Sequence, residues 1–564
     1  MNRRRFLFLS GAAATVAPRV AAARVRQPTG IRADVLVVGG GVGGVAAALA
    51  ACRAGRRVVL TEETRWLGGQ FTSQGVPPDE HPWIEQAGCT RSYREFRDRV
   101  REFDRLRPLT PAGAAVELSN PGGGWVSRLC CEPQLAREAL QSLLAPHIAS
   151  GRLTMLLGHR PLSVERRGDR IGSVVFEGLS GGPHWTVQAP YVLDATELGD
   201  LLPLGGVEHV TGAESRRETS EPSAPETADP LDQQAITWCF ALEHHPGRSH
   251  VIDRPEDYLR WRDYIPDLKP PWTGPLFRWE HPDPITLRPR SLPFDPVGEG
   301  GFPNLWTYRR IRQASRFRDP AAFPSVCLVN WPHNDHWLAP LVGPDVTQAQ
   351  RHARMQEAKA LSRSFLHWLQ TDAPRPDGGT GWPGLRPASG VLGTADGFAL
   401  APYIRESRRI RARFTVLEQH VSTEARMRET GASRDKVRST EFPDSVGVGA
   451  YRIDLHPSTS GRNYVDLSSL PFQIPLGALI PQRVENLIAA GKNLGVTHIT
   501  NGCYRLHPVE WNVGEAAGAL AAFCLEKKEP PAAVHSRPEL LREYQAALRA
   551  QGFELEWTVP TRPL

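Results

Sequence analysis

Asp34-Val35-Leu36-Val37-Val38-Gly39-Gly40-Gly41-Val42-Gly43-Gly44 is a short apolar, β-branched run followed at once by glycines. The apolar half reads as a buried parallel strand. The glycines fit G-x-G-x-x-G with Gly39, Gly41 and Gly44. Gly39 makes the tight turn, Gly41 lets backbone approach a diphosphate, and Gly44 lets the helix pack on the strand. The alanine-rich stretch 42–53 predicts a helix with Val42 and Gly43 in its first turn. Its first amides and its dipole bind the diphosphate charge. Val58-Val59-Leu60 reads as the next strand, and Glu62 ends it, 23 residues after Gly39, with Glu63 beside it. A carboxylate there accepts from both ribose hydroxyls and repels a 2'-phosphate. Strand, glycines, helix, strand and acidic end occur in order, which specifies a dinucleotide site far better than the glycines alone.

Working outward, Trp66-Leu67-Gly68-Gly69-Gln70 follows Glu62 closely. A double glycine there resembles the second phosphate and ribityl contact of FAD enzymes, which NAD dehydrogenases normally lack. Tyr191-Val192-Leu193-Asp194-Ala195-Thr196-Glu197 is an apolar strand ending in Ala-Thr. It is similar to the Ala-Thr-Gly return segment of such flavoproteins, with Glu197 at the usual glycine. Asn486-Leu487-Ile488-Ala489-Ala490-Gly491-Lys492-Asn493 reads as a further buried strand. Beyond it, Asn512, Val513 and Gly514 open an expected small-residue helix over 514–522. Its amides are expected to face the flavin edge where negative charge develops.

Together these segments resemble the FAD-dependent oxidoreductases with a glutathione reductase type of nucleotide fold. Within that group the chain resembles the branch labelled simply FAD-dependent oxidoreductase, distantly similar to the fumarate reductase flavoproteins. Residues 66–78, 402–410, 451–457 and 475–518 fit that branch, so the likeness runs over about 31–523. It implies bound FAD, and an α/β fold in which a three-layer, parallel-sheet, Rossmann-like FAD-binding domain carries an inserted mixed α+β substrate domain.

The 564 residues exceed one compact core of usual size. The expected division is 31–205 with 476–530 for FAD, 231–475 for substrate, and 531–564 as a C-terminal cap. Residues 127–145 predict a helix, 153–176 a hairpin turning at 167–170, and 346–370 a long helix. Residues 212–230 are polar and read as an exposed loop. The 15 tryptophans fall mostly from Trp238 onward, pointing to an aromatic-lined middle region. Hydrophobic residues make up 40% and charged residues 23%, an ordinary globular composition. The net charge of +6 is not gathered into a tail, so nothing asks for nucleic acid. No stretch is long and apolar enough for a membrane span.

Asn2-Arg3-Arg4-Arg5-Phe6-Leu7 resembles a twin-arginine export signal, followed by an apolar run and Ala21-Ala22-Ala23. Residues 1–23 are therefore expected to be removed on export of a folded, cofactor-loaded protein to the periplasm or medium. The eight cysteines show no zinc-ligand spacing and read as free and buried, with Cys503 or Cys89 the candidates for a thiol near the flavin.

The flavin performs the redox step, and the protein supplies position, a proton acceptor and a field. Histidine is the first choice of acceptor, which singles out His507, His498 and His456. Glu510 is a candidate partner of a histidine or of Arg505. Arg405, in the run Arg405-Glu406-Ser407-Arg408-Arg409, is a candidate for stabilising reduced flavin or a substrate anion. His333, Asp335 and His336 have metal-ligand types, but no metal is expected. The leading expectation is oxidation of a C–H next to a hydroxyl or amine. The alternatives are fumarate reductase-like reduction of an alkene, and an FAD-holding carbohydrate-binding or lyase-type protein. The export address points to a small-molecule substrate met outside the cytoplasm, such as a carbohydrate, while the electron acceptor stays open.

Overall fold

The computed structural model describes residues 29–298 and 303–564. The expected export signal lies outside them. The run at Asp34 forms strand β1 (Val35–Val38), helix α1 (Val42–Arg53) and strand β2 (Val58–Glu62). Strands β3 (Leu153–Leu157), β4 (Tyr191–Asp194) and β5 (Leu487–Ala489) complete a five-stranded sheet in the order β5-β4-β1-β2-β3. Every pairing in it is parallel. All four β1 side chains are fully buried, as a strand covered on both faces requires.

Helix α2 (His507–Lys527) lies against α1. The contact is made by small residues one turn apart. A Cβ on Gly514 would lie 2.0 Å from Gly43 O, and one on Gly518 2.2 Å from Ala47 O. The expected helix start at Gly514 is therefore corrected to His507. Pro508 sits in the first turn, where its missing N–H costs nothing, and Glu510 there complements the dipole. Gly514 is small for close helix packing, not for an opening turn.

Three other expectations shift. The helix expected over 127–145 is Pro133–Ala149, entered at Pro133. The expected hairpin loses residues 153–157 to the parallel sheet and pairs His159–Arg167 with Arg170–Gly178 about Gly168, whose φ is +60°. Its inward residues Ile171, Val174 and Phe176 join the core of the nucleotide sheet. Residues 212–230 are pinned rather than exposed at Glu221. Its fully buried carboxylate accepts from Glu418 N at 2.8 Å and Thr497 Oγ1 at 2.6 Å.

A second core is rich in aromatics, with Trp261, Trp331, Phe365 and Trp368 around the helix Gln348–Thr371. It includes a four-stranded antiparallel sheet of Arg310–Arg312, Val326–Val329, Phe240–His244 and Leu385–Pro387. The expected substrate portion over 231–475 and the cores divide the chain differently. Ile410, Val416, Val446, Ile453 and Phe472 pack into the first core. Among the described residues no helix is long and apolar enough to cross a membrane.

Candidate active site

The C-terminal ends of β1, β2 and β4 open into a cleft of about 400 Å³. Gly39, Gly41, Glu62, Glu63, Gly69, Ala195 and Thr196 line it. Gly39 has φ +97°, and a Cβ on it would strike Ala195 O at 2.3 Å, so only glycine makes this turn. Gly44 is equally constrained, because its Cβ would lie 1.9 Å from Gly39 O. Glu62 accepts from Gly40 N and Thr64 N, each at 2.9 Å. Burial raises its carboxyl to about 7. Thr196 is held by Asp194 Oδ1, to which its N–H and hydroxyl donate at 3.0 and 2.7 Å.

The remaining sequence candidates stand behind this surface. Val42 is buried in the first turn of α1. Gly43 N approaches Glu510 Oε1 at 3.5 Å, and Gly491 lies beside Ala195. Asn493 Nδ2 donates to Asp194 O at 3.0 Å and so ties β4 to the C-terminal strand. Gln70 is fully buried and donates to Arg505 O at 3.0 Å and to Glu510. Asn512 Nδ2 donates to Val446 O at 3.1 Å, Val513 is in the core and Gly514 meets Gly43. None of these last three lines the cleft.

Glu197, at the usual glycine position, is the local departure. Its Oε1 would lie 2.9 Å from a Cβ on either Gly41 or Gly69. Lys492 Nζ donates to the other oxygen of Glu197 and stands 3.5 Å from Glu510 Oε2. The cation offsets the two carboxylates beneath the glycine turn. With a Cβ-free approach at Gly41, the first amides of α1 and an acid at the end of β2, these residues fit FAD.

A second cavity, of about 480 Å³, lies behind residues 401–405. Ala401, Pro402 and Ile404 face the cleft, whereas Tyr403 and Arg405 face the cavity. One extended segment thus forms a shared wall. Its amide at 401 donates to Ser73 O at 3.0 Å, and Tyr403 exchanges backbone hydrogen bonds with Thr237.

The three candidate histidines part company here. His456 lines the cavity, with Nδ1 2.6 Å from Asp335 Oδ2 and Nε2 3.7 Å from Asp454 Oδ2. Arg405 holds Asp335 at 3.3 Å, and Arg505 holds Asp454 at 3.2 Å. Burial alone would raise both carboxyls, but Arg405 and His456 outweigh it at Asp335. His456 and Arg505 do so at Asp454, and both stay below the usual range. His507 lines neither space. It is fully buried against Phe71, its Nδ1 accepts from Asp79 N at 3.0 Å, and burial drives its pKa well down. His498 is buried with Nδ1 2.9 Å from Glu406 Oε1 and lines neither space. Arg505 pairs with Asp454, so the alternative pairing expected with Glu510 is corrected. Glu510 contacts Lys492 and Gln70 instead.

His333 is stacked on Phe365, and His336 pairs with Glu357. Among the described residues no group of three His, Cys, Asp or Glu is placed to hold a metal. All eight cysteines are free and buried. Burial pushes the Cys89 thiol up to about 12, and neither Cys89 nor Cys503 lines the cleft or the cavity. Sequence reasoning missed Asp454, although Asp454-x-His456, on and just beyond the strand Ile453–Leu455, carried a signal: residues two apart along extended chain share a face. Arg309 and Tyr464, also on the cavity wall, had no such signal.

A search of curated proteins gives no match. Among solved structures, a quinol fumarate reductase of E. coli is 12% identical, over 93% of this chain and 74% of that one, with a TM-score of 0.34. The OxyS anhydrotetracycline hydroxylase of Streptomyces rimosus is 11% identical over 92% and 66%, with a TM-score of 0.31. An L-proline dehydrogenase of P. horikoshii is 16% identical over 33% of this chain, which spans 25% of it, with a TM-score of 0.17. The family model described as FAD dependent oxidoreductase matches residues 34–548, nearly the whole of the described chain, and the protein is a member of that family with FAD as its cofactor.

Proposed function

We propose that this FAD-dependent oxidoreductase oxidises an alcohol or amine C–H in the second cavity, with His456 as the base. The observation that carries the reading is the 2.6 Å contact of His456 Nδ1 with Asp335 Oδ2. With the ring neutral, an ionised Asp335 accepts from Nδ1–H and the lone pair lies on Nε2. At 3.7 Å from Asp454, that nitrogen has no close hydrogen bond to its neighbour. A base oriented by a carboxylate that is itself held by an arginine follows the general logic of hydrogen-bonded triads.

FAD held in the cleft by the glycine turn and Glu62 would supply the two-electron oxidant that takes up the hydride. His456 Nε2 takes the hydroxyl or amine proton as the C–H bond breaks and a C=O or C=N bond forms. Asp335 keeps the ring oriented and faces the imidazolium that results. Asp454 presents a second negative charge to the same ring. Tyr403 and Arg405 stand on the side of the cavity next to the nucleotide cleft, where the flavin ring would have to reach the substrate.

The test is anaerobic mixing of FAD-loaded protein with alcohols and amines, following loss of the oxidised flavin band. His456→Asn is expected to slow bleaching by roughly 10²- to 10⁴-fold, with FAD content unchanged. Bleaching at the parental rate in that variant excludes His456 as the base.

A further inference from the structure

We infer that the second cavity takes an uncharged ring bearing several hydroxyl groups, a saccharide or glycoside; this rests on the reading of that cavity as the reaction site. The first argument is charge balance. Arg309 faces Asp79 at 3.3 Å, Arg405 faces Asp335 at 3.3 Å, and Arg505 faces Asp454 at 3.2 Å. Farther out, Arg452 pairs with Asp466 and Arg290 with Asp283. Each cation on the wall already has its anion. A substrate carboxylate would have to displace one, leaving a buried charge without a partner. An alkylammonium meets the same obstacle from the other side, since Asp79, Asp335 and Asp454 are each held by an arginine.

The second argument is unspent hydrogen-bonding capacity. Asn330, Trp331 and Tyr464 all line the cavity. Asn330 Nδ2, Trp331 Nε1 and the Tyr464 hydroxyl are buried and have no protein partner. Buried polar atoms in folded proteins are almost always paired, so three at one cavity point to a ligand. Ionised carboxylates stand among these donors: Asp335 and Asp454 both act on Tyr464. A hydroxyl both donates and accepts, so a ring with several satisfies donors and carboxylates together. A ligand that only accepts, or only donates, leaves half the set unmet. Tyr308, Tyr451 and Trp331 bring aromatic side chains to the lining, against which the ring's C–H groups can pack. The volume of about 480 Å³ is that of an ordinary small-molecule site.

The test uses the oxidised, FAD-loaded full chain and calorimetric titration with no electron acceptor. The probes are methyl glycosides of glucose, galactose, mannose and xylose, with cellobiose, against succinate, benzoate and benzylamine. At least one neutral saccharide is expected to bind saturably. Tyr464→Phe is expected to weaken that binding by roughly three- to tenfold, and Asn330→Ala to act in the same direction. Retained FAD absorbance shows that each variant is folded. Binding of carboxylates or benzylamine alone, no saccharide binding up to the solubility limit, or equal affinity in both variants overturns the inference. The base reading is scored separately by bleaching. A saccharide that binds, and bleaches the flavin equally fast in His456→Asn, leaves the substrate class standing and removes the base. Benzyl alcohol oxidised in a His456-dependent way, with no saccharide bound, does the reverse.

Discussion

Gly514 and Gly43 meet backbone to backbone, although one lies in the last long core helix and the other in the first. A Cβ on Gly514 would stand 2.0 Å from Gly43 O. This contact holds α2 directly behind the glycine turn at Gly39. The N-terminal and C-terminal parts of the chain thereby pack as one unit.

Gly514→Ala is expected to force α1 and α2 apart, because the atom it would strike is backbone and cannot rotate away. Overpacking of this kind costs about 1–3 kcal/mol or more. A lowered Tm with earlier release of FAD on heating is the expected result. An unchanged melting curve with full FAD retention shows that the helices do not need this closeness.

Lys492 is 1% exposed between Glu197 and Glu510. Lys492→Met leaves the buried Glu510 and the partly exposed Glu197 without their cation, and stranding a buried charge typically costs about 3–5 kcal/mol. Denaturant unfolding should show the loss, and FAD affinity should fall because unscreened carboxylates face the diphosphate. Adding Glu197→Gln should restore part of both. No recovery in the double variant means that the lysine acts other than by neutralising Glu197.

Asp194 ends β4 with no exposed surface, and burial raises its carboxyl from 3.8 to about 7 despite the hydrogen bonds from Thr196. In the unfolded chain the group ionises near its ordinary value. Between that value and about 7 the folded protein keeps a proton that the unfolded chain has lost. Stability therefore falls as pH rises through this window. Asp194→Asn should flatten that part of the stability–pH curve. Equilibrium unfolding at several pH values between 4 and 8 (roughly the span bracketing both carboxyl values) checks it, and an unaltered slope counts against the raised carboxyl.

The start of the chain leads us to propose export in the folded state, on the run Arg3-Arg4-Arg5-Phe6-Leu7. Replacing Arg3 and Arg4 by lysine should keep FAD-loaded protein in the cytoplasm, with the full-length mass. Cell fractionation followed by mass measurement decides the matter. Export undiminished by the double replacement removes the twin-arginine reading.

The nucleotide half was legible because its signals are local. The run from Val35 to Glu62 carries its strand, turn and helix in consecutive residues, and the need for glycine at Gly39 follows from one turn. The catalytic side was less legible. His507, His498 and His456 look alike in a sequence, each near a plausible motif. Burial separates them: His507 is sealed against Phe71 and His498 against Glu406, whereas His456 opens on the cavity. Gly514 was misread for the same reason. A glycine that opens a helix and a glycine that lets two helices touch leave the same letter in the chain.

What the amino-acid order determined unaided is the dinucleotide turn, the acid at Glu62 and membership of a flavin-binding class, since each depends on neighbours a few bonds or one turn away. What the tertiary structure alone decided is the company His456 keeps. Asp335, Arg405 and Arg505 come from stretches of chain far from His456, and only packing brings their charges within 4 Å of a partner in its cluster (roughly the range over which ion pairs act). Charge pairing falls off with distance in space, not along the sequence, so no local pattern records it.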